Sequence, residues 1–350
     1  MSGAIKTQIP HSALEVTDMA VLPDIADTQS LSIRGCEVQP FGAYLLFRVD
    51  DGAAARAGLT RLLPYISSGA TLTGEKPEET LHVFLSAEGL RRIGVHSSRI
   101  LRFPSAFVDG MADFGLDRRD ADDNAPENWD WPHGGTGFHI GILLSARTFA
   151  GRDASIAFLK RMLVGLTHLR LLAHLNVGFS KSDIEYSRGP GLEMFGECAL
   201  GKSNARGVAT SFETSDELSK NGLFVVIRKI RVTGSALQYF LNRGHPSTVA
   251  ISTLGSMFCV KSACYGPPLS KANSDNDGED RGIVFFVIGS EPERQAAALQ
   301  REWANYREEG GLTGLGRNIV VRGGEYVFLP GVGALTWLAG LSGGVTARGR

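Results

Sequence analysis

Cysteine is scarce in this sequence, and long apolar runs are missing. The four cysteines (Cys36, Cys198, Cys259 and Cys264) are few for 350 residues, and no two of them are spaced as C-x-x-C. This pattern excludes a disulfide framework and a zinc knuckle. No stretch reaches the roughly 18 apolar residues that a membrane-spanning helix needs, and the N-terminus has no basic head followed by an apolar run. We therefore expect a soluble, cytoplasmic protein that has no membrane partner.

An excess of charge of either sign is also missing. The chain has 36 basic and 37 acidic residues, which gives a net charge of -1. A nucleic-acid-binding protein would carry a basic surplus, so we expect no nucleic-acid partner. The hydrophobic share of 43% and the charged share of 21% are those of ordinary globular proteins. The length is sufficient for two domains of ordinary size.

Short apolar, β-rich runs alternate with helical patterns along the first half of the chain. The strands are predicted at 44–49, 81–86, 138–145 and 169–179. Between them, Asp50 or Asp51 can cap the helix "DDGAAARAGLTRLL", and the Ser86 hydroxyl can cap the helix "AEGLRRIGV". The segment "DASIAFLKRMLVGL" reads as an amphipathic helix.

The second half repeats this rhythm. Strands are predicted at 222–232 and 282–290, helices at "GSALQYFLN" and "EPERQAAALQREWANYREE", and the chain closes with "YVFLPG" and "VGALTWLAGL". Helices lie between the strands, and the strands are too far apart for tight hairpins. The fold class predicted is therefore α+β, with two ferredoxin-like halves of the split β-α-β kind whose antiparallel sheets carry helices on them.

The segment "MFGECALGKSNARG" (194–207) contains the nucleotide-phosphate pattern G-x-x-x-x-G-K-S, formed by Gly196, Gly201, Lys202 and Ser203. A phosphate-binding loop must leave a buried strand and enter a helix, because the helix N-terminus faces the anion. Upstream, "YSRGPGLEM" is not a buried strand, and downstream, "NARGVATS" is a poor helix start. Nucleotide binding is therefore a distant alternative among the functions of this chain.

Several longer blocks resemble one known family. The segments "RGIVFFVIGSEPERQAAALQREWAN" (281–305) and "VRGGEYVFLPGVGALTWLAG" (321–340) resemble the C-terminal half of the dye-decolorising (DyP-type) heme peroxidases. The segments "FPSAFVDGMADFGLD", "APENWDW" and "NGLFVVIRKIRVTGSALQYFL" resemble earlier blocks of that family, in the same order. The resemblance covers roughly 40–340. It implies a dimeric α+β barrel type of fold, a heme cofactor and a small-molecule substrate.

The resemblance also implies a domain organisation. It consists of an N-terminal extension (1–39), a first ferredoxin-like domain (40–180), a connecting loop region (181–221) and a second, shortened ferredoxin-like domain (222–345). The second domain is shortened because the family has a long segment between the "LQYFL"-like helix and its proximal histidine. Here only Asn242, Arg243 and Gly244 intervene before His245. The missing segment would form much of the heme pocket.

The distal groups of the family are altered in this sequence. The family's distal aspartate stands in G-x-x-D-G, but in "NVGFSKSD" the acidic position falls on Lys181, and Asp183 lies two residues further on. The family's distal arginine precedes a Y-G loop. Aligning Tyr265 with that loop places Val260 at the arginine position, with Lys261 beside it. The resemblance therefore leaves Asp183 and Lys261 as the candidate catalytic residues, with an exposed loop position as the alternative for Asp183.

The candidate axial ligand of the heme iron, and so the candidate metal ligand, is His245. It lies about 20 residues before the Tyr265 loop, in "NRGHPSTV". A histidine followed by proline after a glycine is also typical of a loop that ends a helix, so this alternative stays open. Cys259 is a second candidate ligand through its thiolate, or a buried thiol. No other histidines have the H-x-x-x-H spacing of a helical metal pair, and they are expected to be structural.

Two functions of different classes follow. The first, which the resemblance in fold favours, is a heme-dependent oxidoreductase of the DyP-type peroxidase family with impaired or altered peroxide chemistry. The second, which the three damaged positions and the missing segment favour, is a heme-free member that uses the scaffold for non-redox catalysis, for ligand binding or as a partner subunit. A homo-oligomer is also expected, since exposed strand edges in such folds often pair.

Overall fold

The structure of the protein is a computed structural model. It describes residues 24–32, 39–72, 77–113, 122–131, 137–166, 168–179, 216–232, 258–267, 278–289 and 319–341. The strands are β1 (Phe41–Val49), β2 (Glu79–Leu85), β3 (Ile140–Ala146), β4 (Leu169–Phe179), β5 (Leu223–Val232), β6 (Phe258–Tyr265), β7 (Gly282–Gly289) and β8 (Ile319–Leu329). The helices are α1 (Gly52–Leu62), α2 (Ala87–Ile93), α3 (Ser97–Ile100), α4 (Ser105–Asp109), α5 (Phe149–Leu163) and α6 (Val332–Ala339).

The strands form one closed antiparallel barrel in the order β1-β3-β2-β8-β5-β7-β6-β4. The first four strands in sequence stand side by side as β4-β1-β3-β2, and the last four repeat this order as β8-β5-β7-β6. This order, taken twice, is that of two ferredoxin-like halves joined edge to edge. The predicted fold class is therefore confirmed. The predicted domain boundaries stay a prediction.

The two halves meet at two short seams. In the described residues, β2 and β8 pair only at Leu85 and Phe328, while β4 and β6 pair from Val177–Tyr265 to Phe179–Ala263. By contrast, β5 and β8 pair over the whole of β5. The edge of β8 that β2 leaves unpaired therefore needs another partner for its backbone groups.

The segment 122–131 supplies that partner. The Asp130 N–H donates to the Arg322 carbonyl at 2.7 Å, and the Gly324 N–H donates to the Trp131 carbonyl at 3.2 Å. The Asn124 side-chain oxygen accepts from the Val321 N–H at 2.8 Å. The segment 122–131 thus covers the edge of β8 that β2 leaves unpaired.

Alternate strand residues belong to two hydrophobic clusters. On β5, Val226 packs with helix residues such as Leu90 and Leu335, so this face lies under the helices. Val225 and Ile227 belong to a second cluster built almost entirely from strand residues, which therefore fills the barrel interior. The interior is a packed core, and a binding site must lie outside it.

Phe84 shows how tightly the interior is filled. Its ring packs edge-on against Phe138 and Phe286, with ring centroids 5.9 and 6.1 Å away. A Cβ atom on Gly141 of the neighbouring strand would lie only 1.9 Å from this ring. Glycine at 141 is therefore required by the close approach of an aromatic side chain.

The predicted helix caps are present. The Asp51 side chain accepts from the Ala53 N–H at the start of α1, and the Ser86 hydroxyl accepts from the Gly89 N–H at 3.0 Å at the start of α2. The helix α5 begins at Phe149, before the predicted start, because Thr148 caps it. Among the described residues, no helix is both long and apolar enough to cross a membrane. The predicted helices "GSALQYFLN" and "EPERQAAALQREWANYREE" lie outside the described residues.

Candidate functional site

A cavity of about 470 Å³ lies beside the β2–β8 seam. Its walls come from α2, from the end of α4 and the turn after it, from residues 126–127 and from residues 137–139, with one residue of β8 at its base. The lining carries eight charged side chains. Its carboxyl groups belong to Glu88, Asp109, Asp113, Glu127 and Glu325, and its guanidinium groups belong to Arg48, Arg91 and Arg92.

Glu325 is the buried acid of this cavity. Its residue is 7% exposed, and its Oε1 atom accepts hydrogen bonds from the Met111 N–H at 3.0 Å and from the Tyr326 N–H at 2.9 Å. Burial raises the pKa of this carboxyl to about 7, although the two N–H groups lower it and the charge of Asp113 raises it further. Glu325 therefore changes its charge near neutral pH. Within the described part of the chain, both hydrogen bonds end on Oε1, so Oε2 remains an open acceptor.

The turn after α4 presents the Met111 N–H to this acid. Gly110 ends α4 with a φ of 80°, a conformation that residues with a side chain rarely adopt. A Cβ atom on Gly110 would also lie 3.3 Å from Glu325 Oε1. On its other side, the Met111 sulfur lies 3.0 Å from Nη1 of the buried Arg228. The turn is thus held between a carboxyl and a guanidinium group.

The arginines of the cavity are engaged by acids of the same or neighbouring elements. Glu88 binds Arg92 at 2.8 Å and Arg91 at 3.4 Å, both on α2, and Arg91 also donates to the Val108 carbonyl at 3.1 Å. Arg48 lies 3.3 Å from Asp50. These pairs neutralise much of the positive charge at the cavity wall.

The imidazole in the cavity wall is neutral. His139 Nδ1 lies 2.9 Å from the Val49 backbone nitrogen and 3.2 Å from the Val49 carbonyl oxygen, so it has a backbone partner in either tautomer. Burial lowers the pKa of His139. Next to it, the Ser86 hydroxyl donates to the Phe138 carbonyl at 2.9 Å. The ring of His139 is therefore available as a neutral hydrogen-bonding group and not as a charge.

The described lining of this cavity contains none of the residues predicted from the family resemblance. Asp183 and His245 are outside the described residues, and so is the glycine-rich segment 194–207. Lys261 lies on β6 opposite Phe286 of β7, next to Val260, which stands opposite Val287. The roles of Asp183, Lys261 and His245 therefore stay predictions.

Heme does not fit the cavity at the β2–β8 seam. A porphyrin is a broad, largely apolar ring with two carboxylate arms, and it needs an apolar slot and a free axial side chain. Here the wall carries five carboxyl groups, which repel carboxylates and cost free energy under an apolar ring. Heme would have to bind elsewhere, so we derive no chemical step through it.

The cavity does not have the geometry of a metal centre either. Within the described ranges, no group of three or more histidine, cysteine, aspartate or glutamate side chains is placed to hold a metal ion.

The sequence did not single out Glu325, although a signal was present. Glu325 lies between "VRGG" and "YVFLPG", directly before an apolar strand pattern. Charged residues are rarely buried without a reason, so such an acid is a marker of a site.

Similarity to known proteins is visible at the level of structure alone. No family model and no curated protein matches the chain. A fungal DyP-type peroxidase from Auricularia auricula-judae superposes with a TM-score of 0.65 and 15% identity, over 91% of this chain and 99% of that chain. A dye-decolorizing peroxidase in complex with 2,6-dimethoxyphenol gives 0.62 and 15%, over 90% and 99%. A further DyP structure gives 0.67 and 14%, over 91% and 98%. At these identities the likeness shows a shared fold.

Proposed function

We propose that this protein is a heme-dependent oxidoreductase related to the DyP-type peroxidases, with impaired or altered peroxide chemistry and a small-molecule substrate. The observation that carries the proposal is the barrel itself. The ferredoxin-like strand order occurs twice in it, and the peroxidase chains superpose on it over nearly their full length. Fold alone does not fix function, so the chemistry rests on the predicted site residues.

Those residues explain why the chemistry is altered. In the proposal, His245 would hold the heme iron, and Asp183 and Lys261 would hold or move a proton at the peroxide. Lys261 is a compact ammonium group, and an ammonium cannot reproduce the two-pronged hydrogen bonding of an arginine at that place. Peroxide-dependent turnover is therefore expected to be slow or absent even when heme is bound.

The test is an absorption spectrum. The full chain is expressed with added heme precursor, alongside His245→Ala and the control His168→Ala, which changes an exposed histidine next to β4. The proposal expects a Soret band in the wild type and in His168→Ala and its loss in His245→Ala. A colourless wild-type protein that also fails to take up added hemin would refute it.

A second candidate function is a heme-free one, in which the scaffold binds or converts a ligand at the cavity of Glu325. The observation that favours it is a buried carboxyl with a pKa near neutrality that lines a cavity of about 470 Å³. Such a group is a candidate acid, base or binding group. If the heme test fails and ligands bind at Glu325, this second function replaces the first.

Nucleotide binding and self-association are separate proposals. Titration of ATP against the wild type and Lys202→Ala tests the first, and equal or absent binding in both rejects it. The molar mass in solution, measured by light scattering over a range of concentrations, tests the proposed homo-oligomer.

A further inference from the structure

We infer that the cavity beside the β2–β8 seam is a binding site for a small organic cation, a primary amine or guanidinium compound, whose charged head is held by Glu325. We call it the Glu325 cavity. The inference does not depend on heme, since the cavity and the predicted heme ligands share no residue.

The charge of the cavity is the first argument. Among the described residues, Glu88 is the acid of the lining that has ion pairs, and it is shared by Arg91 and Arg92. Arg48 is paired with Asp50. No such ion pair forms at Asp109, Asp113, Glu127 or Glu325 within the described ranges. The lining thus carries five carboxyl groups and three guanidinium groups, and this acidic surplus attracts a cation.

The state of Glu325 is the second and independent argument. Its side chain is buried, with a residue exposure of 7%, and no cationic side chain of the described residues pairs with it. Burying a carboxyl without a counter-charge is costly, and a cation entering the cavity removes that cost. The two N–H groups on Oε1 fix the carboxyl in place, so Oε2 is oriented in advance for a donor.

Size and geometry select the kind of cation. The volume of about 470 Å³ lies within the range of roughly 300–1,000 Å³ that is typical of small-molecule sites. The acids are not arranged as a metal centre in the part of the chain that the structure describes. A bare metal ion needs several ligands. An ammonium or guanidinium group has directional N–H donors, so it suits a single oriented oxygen better than a metal ion does.

The distribution of the acids suggests where the rest of the ligand lies. Asp109 and Asp113 flank the turn after α4 and Glu127 lies on the segment beside β8, and all three are exposed at the cavity while Glu325 is buried. A ligand with a second cationic group would place one head at Glu325 and the other at this outer acidic edge. Diamines and guanidino-amines are therefore favoured over simple monoamines.

The test uses putrescine and agmatine as probes and isothermal titration calorimetry of the full chain. The wild type is compared with Glu325→Gln, which keeps the shape of the side chain, and with the control Glu78→Gln. Glu78 is an exposed acid that pairs with Arg147 and does not line the cavity. We expect saturable binding in the wild type and in the control and binding at least tenfold weaker in Glu325→Gln. The neutral 1,4-butanediol and the anionic succinate are expected not to bind.

Three results would overturn the inference: no binding of either amine by the wild type, equal binding by Glu325→Gln, or equal binding of the diol. If Glu325→Gln does not fold, as judged by circular dichroism, the exposed double variant Asp113→Asn/Glu127→Gln takes its place. It is expected to lose the preference for diamines over monoamines, and unchanged preference would contradict the model of two cationic heads. No heme absorbance is used, so failure here is distinct from failure of the heme proposal.

Discussion

The backbone N–H of Met111 donates a 3.0 Å hydrogen bond to Oε1 of Glu325, across 214 positions of the chain. This bond joins the turn after α4, in the first half, to β8, in the second half. It lies beside the seam at which β2 and β8 are paired through Leu85 and Phe328. The Glu325 carboxyl therefore links the two halves beside a seam at which few backbone pairs join them. Its burial there raises its pKa.

Glu325 should make stability depend on pH. Its pKa rises from 4.5 to about 7 on folding, so the folded state binds more protons than the unfolded state between these values. Stability is then lost as the pH rises from about 4.5 through 7, by about 3 kcal/mol in total. Urea unfolding of the wild type and Glu325→Gln at pH 5 and pH 8 should show the variant gaining stability relative to the wild type at the higher pH. Glu78→Gln is the control, and parallel pH dependence in all three proteins would contradict the prediction.

The buried ammonium group of Lys229 should make the stability of the fold sensitive to loss of the two acids that pair with it. This buried lysine lies 2.6 Å from Asp130 and 2.9 Å from Asp280, which are more exposed. Replacing both acids in Asp130→Asn/Asp280→Asn leaves a buried charge without acidic partners and should lower the free energy of unfolding by about 3 kcal/mol.

The matched variant is Lys229→Met, which keeps an unbranched apolar side chain and removes the ammonium group that lies 4.6 Å from the centroid of the Tyr265 ring. It should cost less than the double variant, because it leaves acids that water can reach. Chemical unfolding of both variants compares these losses directly, and a larger loss in Lys229→Met than in the double variant would contradict the prediction.

Gly141→Ala should disrupt the barrel interior. The added methyl group would lie 1.9 Å from the Phe84 ring, and the ring is enclosed by Phe138 and Phe286. Overpacking of this kind costs about 1–3 kcal/mol or more. Gly178→Ala on β4 is the control, since its methyl group would meet nothing closer than 3.8 Å. Equal melting temperatures for the two variants would mean that Phe84 has room to move.

Ser86→Ala should cost more than the loss of an ordinary helix cap. The Ser86 hydroxyl caps α2 through the Gly89 N–H and also donates to the Phe138 carbonyl in a buried setting. Loss of both bonds is expected to cost about 2 kcal/mol. Thr148→Ala removes the exposed cap of α5 and should cost about 1 kcal/mol or less. Unfolding curves of the two variants compare these values directly, and equal costs would mean that the bond to Phe138 contributes nothing.

Three strands were predicted well from short runs that are rich in apolar residues. The runs at 169–179, 222–232 and 282–290 correspond to β4, β5 and β7 within a residue at either end. The strand β6 was not predicted. Its sequence "FCVKSACY" mixes small, charged and aromatic residues, and its pairing with β7 along its whole length and with β4 at its end makes it a strand.

The first part of β8 was missed for a related reason. The segment "IVVRGGEYVFL" contains two glycines and two charged residues, and local propensity argues against a strand there. The strand exists because β5 lies on one side of it and the segment 122–131 pairs with its other edge. The bulge opposite Lys229 and Ile230 accommodates the extra residue.

By itself, the sequence determined the α+β class, the two repeated halves and the local caps at Asp51 and Ser86, because these depend on periodicity and on contacts within a few residues. The family resemblance implied a barrel, and the tertiary structure alone decided the two seams that close it, the cover over the edge of β8 and the Glu325 cavity. Each of these brings together residues far apart in the chain, and the pKa of a carboxyl is set by what surrounds it in space. In the sequence, Glu325 is an acid that interrupts an apolar strand, and in the fold it becomes a buried acceptor.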